Sequence, residues 1–207
     1  MDIRILYTFM TFYMGHVFIR LPRSSPWSVR ELVDREELHL RALQTEDVWL
    51  MYRWYNDPRV MEHMPLPQEL FAPSMEEVRR SLERAVSSSV ERYFILQNAT
   101  GRALGYASLT SIDMLAASAR LTVVIGESEE WGKGLGKEAT ESMVRYAFDV
   151  LNLHRVHVLV AEHNQRAIAC FEACGFVHEG TLRDDHHHRG AYRSSHVMSV
   201  LRDEGST

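Results

Sequence analysis

Alternating apolar and polar residues predict a short strand at the start of the compact region. Leu38, Leu40 and Ala42 are separated by His39 and Arg41. This spacing is the two-residue period of a strand that buries one of its faces.

Two helices are predicted after this strand. The first begins at Thr45 or Glu46 and ends before Pro58, because proline disfavours helical backbone at the residue that precedes it. The proline-broken stretch that follows is predicted to be a loop. Ser74, with a glutamate three residues later, forms the capping pattern of the second helix, which is expected to run to about Ser87.

Three β-rich segments follow, and their short connections predict an antiparallel meander. They span residues 93–97, 103–112 and 119–125. After them the pattern changes to helix, strand, helix, strand, strand, with a polar loop over 184–190 before a last strand at 192–201. This order predicts an α/β (α+β) protein with one mixed sheet.

A glycine-rich segment joins the strand that ends at Ile125 to an amphipathic helix. Its sequence is Trp131-Gly132-Lys133-Gly134-Leu135-Gly136. A strand, a glycine loop and a helix N-terminus together can bind phosphate through backbone N–H groups, although a plain structural turn would use glycine as well. The spacing fits neither Gly-x-Gly-x-x-Gly nor a loop that closes with Gly-Lys-Ser/Thr, so a different phosphorylated cofactor is expected.

Composition narrows the class of protein further. The 207 residues carry a formal charge of −5, which favours a soluble globular protein with cationic small-molecule partners over one that binds nucleic acid. Cys170 and Cys174 are the two cysteines, so no disulfide framework or zinc spacing is expected and a cytoplasmic protein is predicted. No metal site is predicted, because the ligands of the triplet His186-His187-His188 would point to alternate faces.

The N-terminal region is set apart from this pattern. Residues 5–19 are apolar but shorter than a membrane span, and no signal-peptide cleavage pattern follows them. A packing element, an interface or residues upstream of the functional start all explain this segment better than a membrane anchor does. The expected organisation is an N-terminal extension at 1–35 and one domain at 36–207.

Several separated motifs resemble those of the GNAT superfamily of N-acyltransferases. They are the glycine loop, the segment from Asn164 to Phe176 with its Cys-Gly-Phe ending, Leu151 to Arg155, Glu179 to Arg183, and Trp54 to Pro58. The last three are similar to the branch that contains ribosomal-protein N-terminal and spermidine acetyltransferases. The resemblance implies a GNAT fold, with a mostly antiparallel sheet of six to seven strands and about four helices, and acetyl-CoA as cosubstrate.

The resemblance also implies which residues hold acetyl-CoA. Strand residues would pair with the pantetheine arm, the loop would hold the pyrophosphate, and the helix after Asn164 would line the channel near the thioester. The implied residues are Val123, Val124, Ile125, Trp131, Gly132, Lys133, Gly134, Leu135, Gly136, Lys137, Asn164, Ala167, Cys170 and Phe171. Asn164 as a plain helix cap and Phe171 as a plain core residue stay open.

The implied reaction is direct attack of an amine on the thioester, but two family positions differ here. Phe171 stands where many members have a tyrosine that protonates the leaving thiolate. Leu159 stands where some members have a glutamate that acts as the general base. His186 is the candidate general base, because histidine titrates near neutrality. The alternative is a catalytically silent protein of this fold that binds acyl-CoA.

The acceptor is expected to be a primary amine of a small molecule or a peptide. By resemblance its site lies between the first two helices and the final hairpin. Trp54, Asp57 and Glu62 are the candidate residues there, because carboxylates attract a cation and an aromatic ring can cover it. A homodimer is compatible with the resemblance, and no nucleic-acid or membrane partner is expected.

Overall fold

A computed structural model describes residues 38–62, 64, 72–188 and 190–204. The proposed extension at 1–35 lies outside the described residues. The seven strands are β1 (Leu38–Ala42), β2 (Arg92–Asn98), β3 (Ala103–Asp113), β4 (Ser118–Ile125), β5 (Arg155–Ala161), β6 (Val177–His188) and β7 (Ala191–Leu201). The α-helices are α1 (Val48–Tyr55), α2 (Pro58–Met61), α3 (Met75–Ser87), α4 (Leu135–Arg145) and α5 (Gln165–Glu172).

All seven strands form one sheet in the order β1-β2-β3-β4-β5-β7-β6. Strands β1 to β4 pair antiparallel as the predicted meander. Strand β5 pairs parallel with β4 and antiparallel with β7, which in turn pairs antiparallel with β6. The predicted mixed and mostly antiparallel sheet is therefore confirmed.

Two cores form because alternate side chains of the strands point to opposite faces of the sheet. On one face, Ala107 and Leu109 of β3 are buried in the cluster that includes residues of α4 and α5. On the other face, Ile95 of β2 and Tyr106 of β3 are buried in the cluster that includes residues of α1 and α3. The sheet thus separates an α4–α5 layer from an α1–α3 layer.

The C-terminal part of the α4 segment departs from regular helix. Residues Tyr146–Val150 form a π-helical turn, and the Leu151 N–H donates to the Tyr146 carbonyl at 3.2 Å. The apolar face of the predicted amphipathic helix is nevertheless buried through Met143 and Ala147. The wider turn changes the hydrogen-bond pattern while the apolar face stays against the sheet.

Two loops predicted from the sequence contain regular structure. Residues Pro58–Met61 form the short helix α2, where Pro58 takes a first-turn position and the Asp57 carboxylate accepts a hydrogen bond from the Arg59 N–H at 2.9 Å. The predicted polar loop over 184–190 is also wrong up to His188, which belongs to β6. After a register shift between Leu182 and His186, residues His186, His187 and His188 pair with β7, and this pairing satisfies their backbone whatever the polarity of the side chains.

Candidate functional site

The parallel pair β4–β5 separates partway along its length. Ser118, Ala119 and Arg120 of β4 pair with residues 155–157 of β5, and the ladder stops there. Beyond this point β4 continues to Ile125. The β4 edge that faces β5 therefore presents backbone groups that an extended, amide-containing ligand can pair with, as in strand addition.

The glycine loop lies at the end of this gap. Gly132 and Gly134 have φ values of +80° and +86°, in the left-handed region that glycine adopts without steric cost. Gly134 is the N-cap residue of α4, which starts at Leu135. This arrangement presents loop and first-turn N–H groups at the positive end of the helix dipole, where an anion is stabilised.

A cleft of about 400 Å³, here called the loop cleft, runs along this loop. Thirteen of the fourteen residues that the resemblance implies line it: Val123, Val124, Ile125, Trp131, Gly132, Gly134, Leu135, Gly136, Lys137, Asn164, Ala167, Cys170 and Phe171. Lys133 is the exception, and its ammonium lies 2.9 Å from the Glu130 carboxylate. The loop cleft thus gathers residues from β4, the loop, α4 and α5.

The Trp131 side chain forms part of the wall of the loop cleft. Its indole N–H donates to the Ile125 carbonyl at 2.8 Å. The Arg166 guanidinium lies 4.7 Å from the centre of its ring, within the range of a cation–π contact. These contacts fix the ring between the end of β4 and the first turn of α5.

Asn164 starts α5 at the junction of the site. Its side-chain oxygen accepts a hydrogen bond from the Ala167 N–H at 3.1 Å, which confirms the predicted cap. Phe171, two turns later, packs on Phe176 with ring centres 5.3 Å apart. Both Asn164 and Phe171 line the loop cleft, so each has a structural role and a place at the site.

A second cleft of about 840 Å³, here called the helix cleft, lies between α3 and the open face of the sheet. The two clefts share residues from three parts of the chain, namely Met64, Val123, Asn164, Ala167 and Phe171. A molecule in one cleft therefore meets a molecule in the other at these residues.

Three tyrosines line the helix cleft: Tyr55, Tyr93 and Tyr106. Burial raises the pKa of Tyr55, raises that of Tyr93 to about 12, and raises that of Tyr106 well above its ordinary value. These hydroxyl groups stay protonated near neutral pH. They can donate a hydrogen bond or a proton, but they cannot act there as bases.

The structure places Trp54 in the core instead of the cleft. Its ring is 1% exposed, and its indole N–H donates to Glu127 at 2.9 Å. Gly126 packs so closely on the ring that an added Cβ would lie 2.4 Å from it. A buried ring held in this way does not cover an acceptor, so the expectation for Trp54 is corrected.

Asp57 and Glu62 also lie outside the described lining of both clefts. Asp57 caps α2, and its hydrogen bond with the Arg59 side chain is the largest cause that lowers its pKa. The Glu62 carbonyl lies 3.3 Å from Nε2 of His163. The final hairpin contributes no described residue to the helix cleft either, and β5 forms that wall.

His186 is buried in β6, with 7% of its surface exposed. Its Nδ1 lies 3.3 Å from Ser195 Oγ, and its ring centre lies 6.1 Å from that of His163. Burial is the largest cause that lowers its pKa. Among the described residues it lines neither cleft, so the structure gives this candidate base no contact with the space where an amine would lie.

Polar residues on the floor of the helix cleft were missed at the sequence level. Ser108, Thr110, Arg120 and Thr122 occupy alternate positions of β3 and β4 and line the cleft. The signal was present in the sequence as polar residues at a two-residue period within otherwise apolar strands. Reading it required the knowledge that this sheet face is partly open.

Two further findings concern the described part of the chain. No three His, Cys, Asp or Glu side chains are grouped there so as to hold a metal ion. Among the same residues, no helix combines the length and the apolar character that crossing a membrane requires.

Together, the strand gap, the glycine loop and the adjoining second cleft fit an acyltransferase that uses coenzyme A. The chain belongs to the acetyltransferase (GNAT) domain family, whose profile matches residues 37–177. It is an N-acetyltransferase with a GNAT fold, and acetyl-CoA is the cosubstrate. The structure has five α-helices within the described residues, one more than expected.

Two curated relatives show how varied the acceptors of this family are. The chain is 28% identical over 169 residues to spermidine N(1)-acetyltransferase of Vibrio cholerae, covering 81% of this chain and 95% of that protein. It is 24% identical over 168 residues to aminoglycoside N(6')-acetyltransferase type 1 of Klebsiella pneumoniae, covering 71% and 77% respectively.

The structure is similar to a crystal structure of the Vibrio cholerae spermidine N-acetyltransferase in complex with CoA and spermine. The TM-score is 0.78 with 26% sequence identity, and the match covers 84% of this chain and all of the other.

Proposed function

We propose that the loop cleft binds acetyl-CoA, that the helix cleft binds a primary amine, and that the amine attacks the thioester directly. The observation that carries this proposal is the wall that both clefts share at Val123, Asn164, Ala167 and Phe171. The two clefts meet at these residues. An acyl donor in one cleft and an amine in the other can therefore contact each other there, and no covalent enzyme intermediate is needed. Holding two reactants side by side in this way lowers the entropic part of the barrier.

The residues of the loop cleft fit the parts of acetyl-CoA in order. Backbone groups of Val123 to Ile125 lie along the β4 edge, where the amides of the pantetheine arm find partners. The left-handed glycines and the start of α4 accept the pyrophosphate. Lys133 and Lys137 lie in and after the same loop, where they add positive charge close to the phosphates.

Bound acetyl-CoA supplies an acetyl group activated as a thioester. The protein residues then position the amine and limit access of water. Phe171 and Leu159 present apolar side chains at the helix cleft, where they shield the reacting groups from solvent. The protonated tyrosines donate hydrogen bonds to the acceptor, and the amine attacks the thioester carbonyl as its free base. The C–N bond forms, the C–S bond breaks, and CoA leaves as a thiolate that takes up a proton while the nitrogen loses one.

The proposal includes a cytoplasmic protein that forms homodimers. Cys170 and Cys174 are both free thiols, which suits a reducing compartment. Strand β6 ends the sheet and exposes Val177 and Leu182. An edge strand with exposed apolar residues favours pairing with a second copy, and light scattering of the purified chain tests the assembly.

The test of the proposed reaction combines turnover with binding. The protein is incubated with acetyl-CoA and a panel of amines while free thiol is measured, and CoA binding is measured by calorimetry. We expect CoA release that depends on at least one amine. If CoA binds but no amine on a broad panel releases thiol, the protein is catalytically silent. If CoA does not bind, the assignment of the loop cleft is wrong.

A matched pair of variants localises the reaction. Ala167→Phe places a ring in the shared wall and is expected to abolish transfer. Glu172→Phe places the same ring at an exposed position on α5, outside the described lining of both clefts. This second variant is expected to retain transfer, and equal loss in both variants would argue against the shared wall as the reaction centre.

A further inference from the structure

The charged residues in the described lining of the helix cleft differ from those that attract a polyamine. Its described lining contains Arg80, Arg84 and Arg120 but a single carboxylate, that of Glu77. A polyamine carries several positive charges and is attracted by carboxylates along its length. Three guanidinium groups around the same space repel such a molecule instead.

The Glu77 carboxylate is already engaged within α3. It accepts hydrogen bonds from the Ser74 N–H at 2.8 Å and from the Ser74 hydroxyl at 2.7 Å. These bonds form the capping box at the start of the helix. Binding a cation there would compete with the contacts that stabilise the helix terminus.

Arg120 lies on the floor of the helix cleft, at the last β4 residue that pairs with β5. Its Nε is buried and has no hydrogen-bond acceptor among the described residues. A buried N–H donor without an acceptor costs free energy. The rest of the side chain is partly exposed and lines the cleft, so the terminal N–H groups of the guanidinium can donate to an anionic group of a ligand there.

The distance along β4 links this arginine to the reaction centre. Val123 in the shared wall follows Arg120 by three residues, which is about 10 Å along a strand. Part of this distance is covered by the arginine side chain itself. An acceptor can therefore place its amine at the shared wall while an anionic group a few bonds away reaches Arg120.

Hydroxyl groups complete the polar surface around Arg120. Thr110 pairs directly with Arg120 across β3 and β4, and Ser108 pairs with Thr122. On the opposite side Arg80 and Arg84 lie one turn apart on α3, at the exposed rim of the cleft. An anion would thus find a guanidinium and hydroxyl donors on the floor and two further guanidinium groups at the rim, where Arg80 also forms an ion pair with Glu76 at 3.0 Å.

From this arrangement we propose that the preferred acceptor is an amine that also carries an anionic group, a carboxylate or a phosphate, bound by Arg120 with Arg80 and Arg84. This inference rests on the proposed function, because it assigns the acceptor of the same two clefts. The proposed acceptor differs from that of the relatives named as spermidine acetyltransferases, because spermidine carries no anionic group.

The experiment compares acceptors of equal length. Pentylamine, cadaverine, 5-aminovalerate and 5-aminopentyl phosphate share a five-carbon chain and differ at the far end, which is apolar, cationic, carboxylate or phosphate. We expect kcat/KM for at least one anionic acceptor to exceed that for cadaverine by about 10- to 100-fold, the range for a hydrogen bond to a charged group. The better of the two anionic acceptors identifies the group that is recognised.

Variants then test the arginines. Arg120→Gln should remove most of the preference for the anionic acceptor by raising its KM, while KM for acetyl-CoA stays unchanged and Arg120→Lys restores part of the preference. If Arg120→Gln does not fold, the double variant Arg80→Gln/Arg84→Gln tests the rim alone. Arg79→Gln is the control, because Arg79 lies on α3 outside the described lining of the cleft.

The outcomes separate the two proposals. If cadaverine or pentylamine is the better acceptor, the preference for an anion is wrong while the transfer reaction stands. A rise in KM for acetyl-CoA in Arg120→Gln would assign this arginine to the cosubstrate and overturn its role toward the acceptor. If neither these amines nor a broad panel releases CoA, the proposed function itself fails.

Discussion

The indole N–H of Trp54 on α1 donates a hydrogen bond of 2.9 Å to the carboxylate of Glu127. Glu127 lies two residues after the end of β4. Glu127 also receives the Arg53 guanidinium, and a second arginine, Arg102, lies 3.7 Å away. This buried carboxylate therefore connects the α1–α3 layer with the start of the glycine loop. The contact joins the helix that ends at Tyr55, which lines the helix cleft, to the segment that leads into the glycine loop.

Substitutions at this contact should reduce stability. Gly126→Ala would place a methyl group against the Trp54 ring, and overpacking of this kind costs about 1–3 kcal/mol of unfolding free energy. Trp54→Phe keeps most of the ring but leaves Glu127 without the indole donor, at a cost of about 1–3 kcal/mol. Urea denaturation measures both effects. Variants as stable as the parent would show that the contact contributes little.

Gly134, one of the two left-handed glycines in the loop, provides a test of anion binding. Gly134→Ala should cost about 1–2 kcal/mol, the penalty of left-handed backbone for a residue with a Cβ. It should also raise KM for acetyl-CoA, because relief of this strain would shift the backbone at the start of α4, which lines the loop cleft.

Gly101→Ala is the matched control for this loop. Gly101 has φ of +82°, lies in the turn between β2 and β3, and, as at Gly134, an added Cβ would have no atom within 4 Å. It should show a similar loss of stability with KM unchanged. An equal rise in KM for both variants would point to general destabilisation instead of a role in the loop.

Cys170 should be the more reactive of the two thiols. A hydrogen bond from Cys174 is the largest cause that lowers the pKa of Cys170 to about 7, and it raises that of Cys174. Iodoacetamide should modify Cys170 first at neutral pH, with mass spectrometry to locate the label. Saturating CoA should slow the reaction, because Cys170 lines the loop cleft.

A variant separates the effect of the neighbouring thiol from that of the cleft. Cys174→Ala removes the hydrogen-bond donor, so the midpoint of the pH–rate profile for Cys170 should move upward toward the ordinary thiol value of 9.0. Protection by CoA should persist in this variant. Labelling at the same rate with and without CoA would contradict the placement of Cys170 in the site.

His186 remains a hypothesis as the general base, and its position predicts a structural role instead. His186→Gln should lower kcat little and leave the pH profile of kcat/KM in place. If the variant no longer shows the fall of kcat/KM at acidic pH, His186 is the general base. The measurement is a pH–rate profile with one amine at saturating acetyl-CoA.

The same histidine should influence stability as the pH falls. Burial keeps its pKa in the folded state below the ordinary value of 6.5. The unfolded chain therefore binds a proton first, and stability is lost as the pH falls below that value. His186→Gln should reduce the change of unfolding free energy with pH, measured by urea titrations between neutral and mildly acidic pH. If the change is the same in the variant, other groups cause it.

Local patterns in the sequence determined the elements that carry the cosubstrate site. The capping box at Ser74, the cap at Asn164 and the left-handed glycine at Gly134 each depend on residues within one turn of the chain. Their chemistry can therefore be read without knowledge of the fold. The family motifs joined these elements into one arrangement.

The acceptor side could not be read in this way, because tertiary contacts decide it. Trp54 is removed from the cleft by packing on Gly126, which is 72 positions away in the sequence. Arg120 lines the helix cleft because its face of the sheet is left open beside α3. A two-residue period shows that a strand has two faces, whereas contacts between distant residues determine which face stays open and what charge it carries.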